Sequence, residues 1–321
     1  MAELNAVILD GFTQNPGDMN WDYLAGVTNL TVYDRTPPEL TVQRARDAQI
    51  VITNKVPLTR EIIDNLPLLR FVALLSTGSN IADCDYLKQK GIPVSNIPAY
   101  STQAVAQMVT AYILGFSNSV AQFSASVRQG DWEKCPDFCY LGYPLFELGS
   151  KTIGIIGYGS IGSAVAKRAN AMGMRIVAYT PSGSKANDYG VEFMPLNDVL
   201  ALADFVTVHT PLTAQTQGMV NADFIAHMKR GAYLINTSRG QVVNEHDVAA
   251  ALESGVLAGF AADVLSCEPP KSDNPLLRAP NTVITPHVAW AAFETRVRLL
   301  EVFNGNIRAY LQGNPVNVVN A

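Results

Sequence analysis

Lys151-Thr152-Ile153-Gly154-Ile155-Ile156 runs straight into Gly157-Tyr158-Gly159-Ser160-Ile161-Gly162, and then into Ser163-Ala164-Val165-Ala166-Lys167-Arg168-Ala169. The first six residues have the apolar, β-branched character of a buried strand, and the last seven form a good helix. Between them the spacing is G-x-G-x-x-G. Gly157 permits a tight turn, Gly159 lets the backbone approach a pyrophosphate, and Gly162 lets helix and strand pack closely. The helix N-terminus then presents free N–H groups and a partial positive charge to the anion. A plain glycine-rich turn needs no such order of strand, turn and helix. The stretch therefore predicts a dinucleotide site, with Tyr158, Ser160 and Ile161 completing the turn.

The strand expected next, at 174–179, should end where a carboxylate would hold the ribose diol of NAD. The sequence there reads Tyr179-Thr180-Pro181-Ser182-Gly183-Ser184-Lys185, without Asp or Glu. A 2′-phosphate meets no charge repulsion at such a site, and Thr180, Ser182 and Lys185 are suited to contact one. A solvated surface Lys185 is the plain alternative, so NAD(H) and NADP(H) both stay open as the cofactor.

Outward from this turn, short apolar runs alternate with segments of helical spacing. Strands are expected at 6–9, 30–33, 50–53 and 71–75, and helices at 59–65 and 83–90. After the turn, strands are expected at 175–179, 205–208, 232–236, 258–264 and 282–285. The pattern breaks at 101–129, a proline-free stretch read as one long helix with Ser101 or Thr102 as its cap. An irregular loop follows at 130–144, carrying Trp132, Phe138, Tyr140 and Tyr143. Those rings suit packing within the subunit and packing across a dimer interface equally well. A last helix is expected at 291–311. The alternation predicts an α/β fold of parallel sheets covered by helices on both faces.

The composition agrees with that class. A chain of 321 residues is long for one hydrophobic core and favours two domains. At 48% hydrophobic and 16% charged it is neither disordered nor fibrous. A net charge of −5 without a Lys/Arg cluster argues against a nucleic-acid partner. The opening Met1-Ala2-Glu3-Leu4-Asn5-Ala6 has no basic segment leading into an apolar run, so no secretory leader is expected. No apolar stretch approaches the roughly 20 residues needed to cross a bilayer. The four cysteines, Cys84, Cys135, Cys139 and Cys267, form no C-x-x-C pair and no ligand set for a metal. Free thiols in the cytoplasm are the expectation.

Three further stretches end predicted strands: Ile235-Asn236-Thr237-Ser238-Arg239-Gly240, Ala262-Asp263-Val264-Leu265-Ser266-Cys267-Glu268-Pro269 and Thr285-Pro286-His287-Val288-Ala289-Trp290. Ligands of an open parallel sheet sit beyond the carboxyl ends of its strands, so Arg239, Glu268 and His287 can converge. Reducing a ketone needs a proton for the developing alkoxide, and His287 can supply it. Glu268 can orient the imidazole. Arg239 can hold a carboxylate through two parallel N–H bonds. Taken singly, an Arg or Glu is usually a solvated group and a His usually structural. His227 and His246 lie in helical segments and are read as structural.

Together with the glycine turn these stretches resemble the signatures of the D-isomer-specific 2-hydroxyacid dehydrogenases. The resemblance extends to Ser76-Thr77-Gly78-Ser79-Asn80, to Val105-Ala106-Gln107 and to Val208-His209-Thr210-Pro211-Leu212-Thr213-Ala214-Gln215-Thr216. Within that family, Asn96-Ile97-Pro98-Ala99-Tyr100-Ser101-Thr102, Pro136-Asp137-Phe138-Cys139-Tyr140 and His287-Val288-Ala289-Trp290 are similar to the glycerate dehydrogenase (hydroxypyruvate reductase) branch.

The resemblance implies two Rossmann-like domains with a cleft between them, and that cleft is expected to close on binding because hydride transfer benefits from excluding water. One is a flavodoxin-like substrate domain at 1–99 completed by 290–321, the other an NAD(P)-binding domain at 100–289. It implies reduction of a small 2-keto acid such as hydroxypyruvate or glyoxylate, and a homodimer formed through 102–129 and the aromatic loop; no metal is expected, since no His/Asp/Glu cluster has ligand spacing. It places the substrate carboxylate on backbone N–H groups of Ser76, Thr77 and Gly78. Asp263 would hold the nicotinamide carboxamide, and His209, Thr210, Pro211, Thr216, Thr237 and Ser238 would lie on cofactor-contacting loops.

Trp290 stands where many members carry Gly and would either narrow the substrate pocket or pack in the core. Lys55, after another strand end, is a weaker candidate for binding an anionic substrate. Two other functions stay open: a dehydrogenase for a different 2-keto acid, and a nicotinamide-sensing interaction protein without turnover, since fold alone does not fix function.

Overall fold

The computed structural model describes residues 4–21, 28–181 and 188–321. Ser182 and Lys185, expected near a ribose phosphate, lie outside them. The chain divides into two compact units, Met1–Ser101 with Ala291–Ala321, and Thr102–Trp290.

Among the described residues, the first unit has five strands: β1 (Leu4–Ile8), β2 (Thr28–Val32), β3 (Ile50–Thr53), β4 (Phe71–Leu74) and β5 (Val94–Ser95). Their order is β2-β1-β3-β4-β5 and every pair is parallel. β3 and β4 are buried along their whole length, as unbroken apolar runs in a sheet covered on both faces should be. Helix Arg60–Asp64 starts where the Thr59 hydroxyl accepts from the Ile62 amide. Helix Cys84–Gln89 starts where Asp83 accepts from that of Tyr86. The C-terminal helix Phe293–Leu311 returns to this unit, and Tyr310 stacks on Phe71 with centroids 4.2 Å apart.

Among the described residues, the second unit has seven strands: β6 (Thr152–Ile156), β7 (Arg175–Tyr179), β8 (Glu192–Phe193), β9 (Phe205–Val208), β10 (Ala232–Asn236), β11 (Leu257–Ala262) and β12 (Thr282–Ile284). The order is β12-β11-β10-β9-β6-β7-β8, again all parallel. The α/β class with parallel sheets is thus as the alternation predicts. The two-residue strands β5 and β8 carry too short a pattern to be seen beforehand.

The expected single helix over 101–129 is in fact two, Thr102–Asn118 and Val120–Arg128, bent by 55°. The break is at Ser119, a left-handed residue with φ of 47°. Its buried hydroxyl donates to the carbonyl of Pro144 at 2.8 Å, a long-range bond that composition does not reveal. Among the described residues no single helix is long and apolar enough to cross a membrane.

From β6 the chain goes to β7 and β8 on one side, then to β9 on the other. This makes the carboxyl ends of β6 and β9 the switch point where open sheets bind ligands. His209 sits there, its amide donating to the Ile156 carbonyl at 2.7 Å. Its Nε2 lies 2.9 Å from the Thr207 hydroxyl, and its buried Nδ1 has no hydrogen-bond partner among the described residues. Desolvation drives the imidazole pKa down to about 3.

An unfolded His titrates near 6.5, so between there and about 3 the unfolded chain binds one proton more than the folded one. This site's contribution to stability is complete above about pH 6.5 and is lost as the pH falls toward 3, with a slope of at most about 1.4 kcal/mol per pH unit. Denaturant unfolding at pH 7 and pH 5 should show the wild type losing about 1–2 kcal/mol more than a His209→Gln variant. Equal acid sensitivity of the two proteins would refute the buried neutral imidazole.

Candidate active site

The phosphate turn is built as its glycines demand. Gly157 follows β6 with φ of +97°, and a Cβ there would stand 2.7 Å from the carbonyl oxygen of His209. A Cβ on Gly162 would come within 2.4 Å of the Gly157 carbonyl. Before Gly159 there is only open space, and Gly159 gives helix Ser160–Ala171 no side-chain cap. The first N–H groups of that helix are thus left for an anion. Tyr158 turns its ring into the core against Phe193, with centroids 5.0 Å apart, so only its backbone faces the turn. Ser160 is exposed and Ile161 half-buried. On the neighbouring strands, the hydroxyls of Thr210 after β9 and Thr237 after β10 are buried without a hydrogen-bond partner among the described residues. An open glycine cradle, an uncapped helix and two orphaned hydroxyls at adjacent strand ends fit a dinucleotide.

Other expected cofactor residues shape the surrounding loops. Thr216 donates to the Pro211 carbonyl at 2.6 Å, closing the turn after β9. Ser238 donates through its amide and hydroxyl to Asn236 Oδ1, at 3.0 and 2.8 Å. Asn236 in turn donates from Nδ2 to the Arg239 carbonyl at 2.9 Å. This fully buried Asn, at the last position of β10, sets the direction in which Arg239 leaves the sheet. An Asn just before a turn is the local sequence mark of such a brace. Thr180 follows β7 and is half-buried.

Glu268 and His287 are in direct contact, whereas the Arg239 guanidinium donates to the Ser238 carbonyl at 2.8 Å and its turn meets the Glu268 loop through Gly240. A Cβ on Gly240 would fall 1.9 Å from the Leu265 carbonyl carbon, so the Arg239-Gly240 turn lies on the backbone of the loop after β11. That loop is pinned by Glu245, which accepts from the Ser266 amide and hydroxyl at 2.8 and 2.7 Å and from Asn274 at 2.9 Å. Glu268 accepts from the Leu265 amide through one oxygen at 3.1 Å. Its other oxygen lies 2.6 Å from His287 Nδ1. With Nδ1 so engaged, Nε2 is the nitrogen left to face a reactant.

His287 has φ of +56°, a conformation an L residue adopts at a cost of about 1–2 kcal/mol. Asp263, almost fully buried, holds it there. The Asp263 carbonyl accepts from the His287 amide at 2.8 Å. Its carboxylate accepts from the amides of Val288 and Ala289, both at 2.8 Å, and from the Thr285 hydroxyl at 2.5 Å. Burial raises the Asp263 pKa, while the bonds to Thr285, Ala289 and Val288 and the charge of His287 oppose the rise. Trp290 donates from its indole nitrogen to the His287 carbonyl at 2.8 Å, a second brace on the same loop.

Ser76, Thr77 and Gly78 belong to the first unit. The Ser76 hydroxyl donates to the Gly78 carbonyl and that of Thr77 to the Ile97 carbonyl, both at 2.8 Å, so both hydroxyls are engaged within the first unit. Lys55 is exposed, and its amide donates to Asp10. His227 lies 2.8 Å from the Asp223 carbonyl at a helix end, and His246 lies in helix Glu245–Glu253.

Residues 110–289 match the family described as D-isomer specific 2-hydroxyacid dehydrogenase, NAD binding domain. Over 321 aligned residues the chain is 44% identical to the hydroxypyruvate reductase of Blautia hydrogenotrophica, covering 99% of this chain and 100% of that one. It is 38% identical to the glycerate dehydrogenase of Methylorubrum extorquens, with 88% and 89% covered. Among solved structures it resembles the NADPH-dependent glyoxylate/hydroxypyruvate reductase of Sinorhizobium meliloti in complex with NADP and malonate, at 27% identity and a TM-score of 0.84, with 99% and 97% covered. The chain belongs to the D-isomer-specific 2-hydroxyacid dehydrogenase family and is an NAD(P)-dependent oxidoreductase acting on a CH–OH group.

Proposed function

We propose that this enzyme reduces hydroxypyruvate to D-glycerate and glyoxylate to glycolate. The Glu268–His287 pair on a left-handed, braced loop carries the reading, because it fixes one imidazole nitrogen as a proton donor. The names of the relatives supply the substrate. The dinucleotide, when bound, supplies the hydride. Gly157, Gly159, Gly162 and the start of helix Ser160–Ala171 hold its pyrophosphate, and Thr210 and Thr237 give hydroxyls to its nicotinamide half. Arg239 grips the substrate carboxylate with two N–H groups and polarises the keto oxygen. His287 passes its Nε2 proton to that oxygen as the alkoxide forms, and Glu268 keeps the ring aligned throughout. Ser76, Thr77 and Gly78 remain candidates for the carboxylate through their backbone, and Trp290 for limiting substrate size. With no acid at Thr180, both NADH and NADPH are accepted.

The assembly we propose is a homodimer. Phe123 packs against Tyr140 and Tyr143 within the subunit, with centroids 5.8 and 5.0 Å apart. Phe138, Leu141 and Val120 are instead 89, 82 and 67% exposed on the same loop and helix, an apolar patch suited to a second copy. The four free cysteines fit a cytoplasmic location.

His287→Ala should lower turnover of hydroxypyruvate by about 10²–10⁴-fold while cofactor still quenches tryptophan fluorescence, and Gly162→Val should lose the quenching itself. Substantial activity in the His287 variant would remove it from the mechanism. In sedimentation the wild type should run at twice the chain mass and a Phe138→Ser, Leu141→Ser double variant at the chain mass; a monomeric wild type would refute the interface.

A further inference from the structure

Tyr112 lies on helix Thr102–Asn118, on the face that buries Val105, Val109, Ile113 and Phe116. It is 4% exposed and brings a hydroxyl into a mostly apolar face. Its hydroxyl stands 2.5 Å from Thr285 Oγ1, and Thr285 Oγ1 stands 2.5 Å from Asp263 Oδ1. The direction of the chain follows from the acceptors. Asp263 takes amide N–H groups on both carboxylate oxygens and so acts as an acceptor, which makes Thr285 the donor toward it. The lone pairs of Thr285 are then free for the Tyr112 proton. Burial raises the Tyr112 pKa well above the phenol range, with the Thr285 bond opposing, which keeps that proton in place.

We infer that Tyr112 is a positioning residue for the reaction: through Thr285 it fixes the Asp263 carboxylate, and through that carboxylate the loop bearing His287. The inference rests on the catalytic role proposed above for His287. A tyrosine that merely fills the core would show no special dependence on Thr285. In a relay each donor polarises the next, so removing either end removes the same effect.

The test is a double-variant cycle on the full-length enzyme, read in two ways. Tyr112→Phe should lower kcat about 3- to 10-fold with KM for hydroxypyruvate within about 2-fold of wild type. Thr285→Val should do the same, Thr285→Ser should restore the wild-type kcat, and Tyr112→Phe should have no further effect in the Thr285→Val background. Independently of turnover, amide hydrogen exchange at Val288 and Ala289 in cofactor-free protein should be faster in Tyr112→Phe and in Thr285→Val, again without addition in the double variant. Losses that multiply in the double variant, or unchanged exchange at the two amides, would overturn the relay. Absence of keto-acid turnover in the wild type would instead overturn the catalytic reading, and the exchange arm would still decide the relay.

Discussion

Because each strand of the sheet β12-β11-β10-β9-β6-β7-β8 runs the same way, each loop that follows a strand leaves at the same edge. That constraint allows residues as far apart in sequence as Gly157, Arg239, Glu268 and His287 to be brought to one edge. It does not by itself place them within bonding distance. The remaining precision comes from backbone-to-backbone approach. Gly157 lies against His209, Gly162 against Gly157, and Gly240 against Leu265. At each of these points a single methyl group would push two neighbouring segments of backbone apart.

A second constraint is electrostatic. The loop with His287 adopts a backbone shape that its residue type disfavours, and a buried carboxylate holds it. Three donors on Asp263 offset the cost of burying its charge, and hydrogen bonds to an ionised group are worth about 1.5–3 kcal/mol each. Asp263 therefore acts first on its own chain, whatever it also offers to a nicotinamide. Glu245 does comparable work for the loop with Glu268, fixing Ser266 and Asn274. Both acids sit one step behind the groups that would meet a substrate.

The α/β class, most of the strands and the strand-end positions of Arg239, Glu268 and His287 were legible in the sequence, because each rests on a local pattern. An apolar run flanked by turn residues reads as a strand wherever it occurs, and a glycine spacing reads as a tight approach. What was hidden depends on partners distant in sequence. Ser119 breaks a helix by bonding to Pro144, and nothing between 101 and 129 announces it. Tyr112 looks like one more apolar position of a core helix until its hydroxyl is seen against Thr285, 173 residues away. Asn236 is the exception, a brace whose local signature, an Asn at a strand end before a turn, is present in the sequence itself.

On the proposed function, reduction of the 2-keto acid is stereospecific, with the proton coming from His287 and the hydride from the bound nicotinamide. The most direct measurement is chiral analysis of the product formed from hydroxypyruvate with NADH or NADPH. D-Glycerate alone should form, mole for mole with oxidised cofactor. L-glycerate, a racemic product or no product would contradict the proposed function.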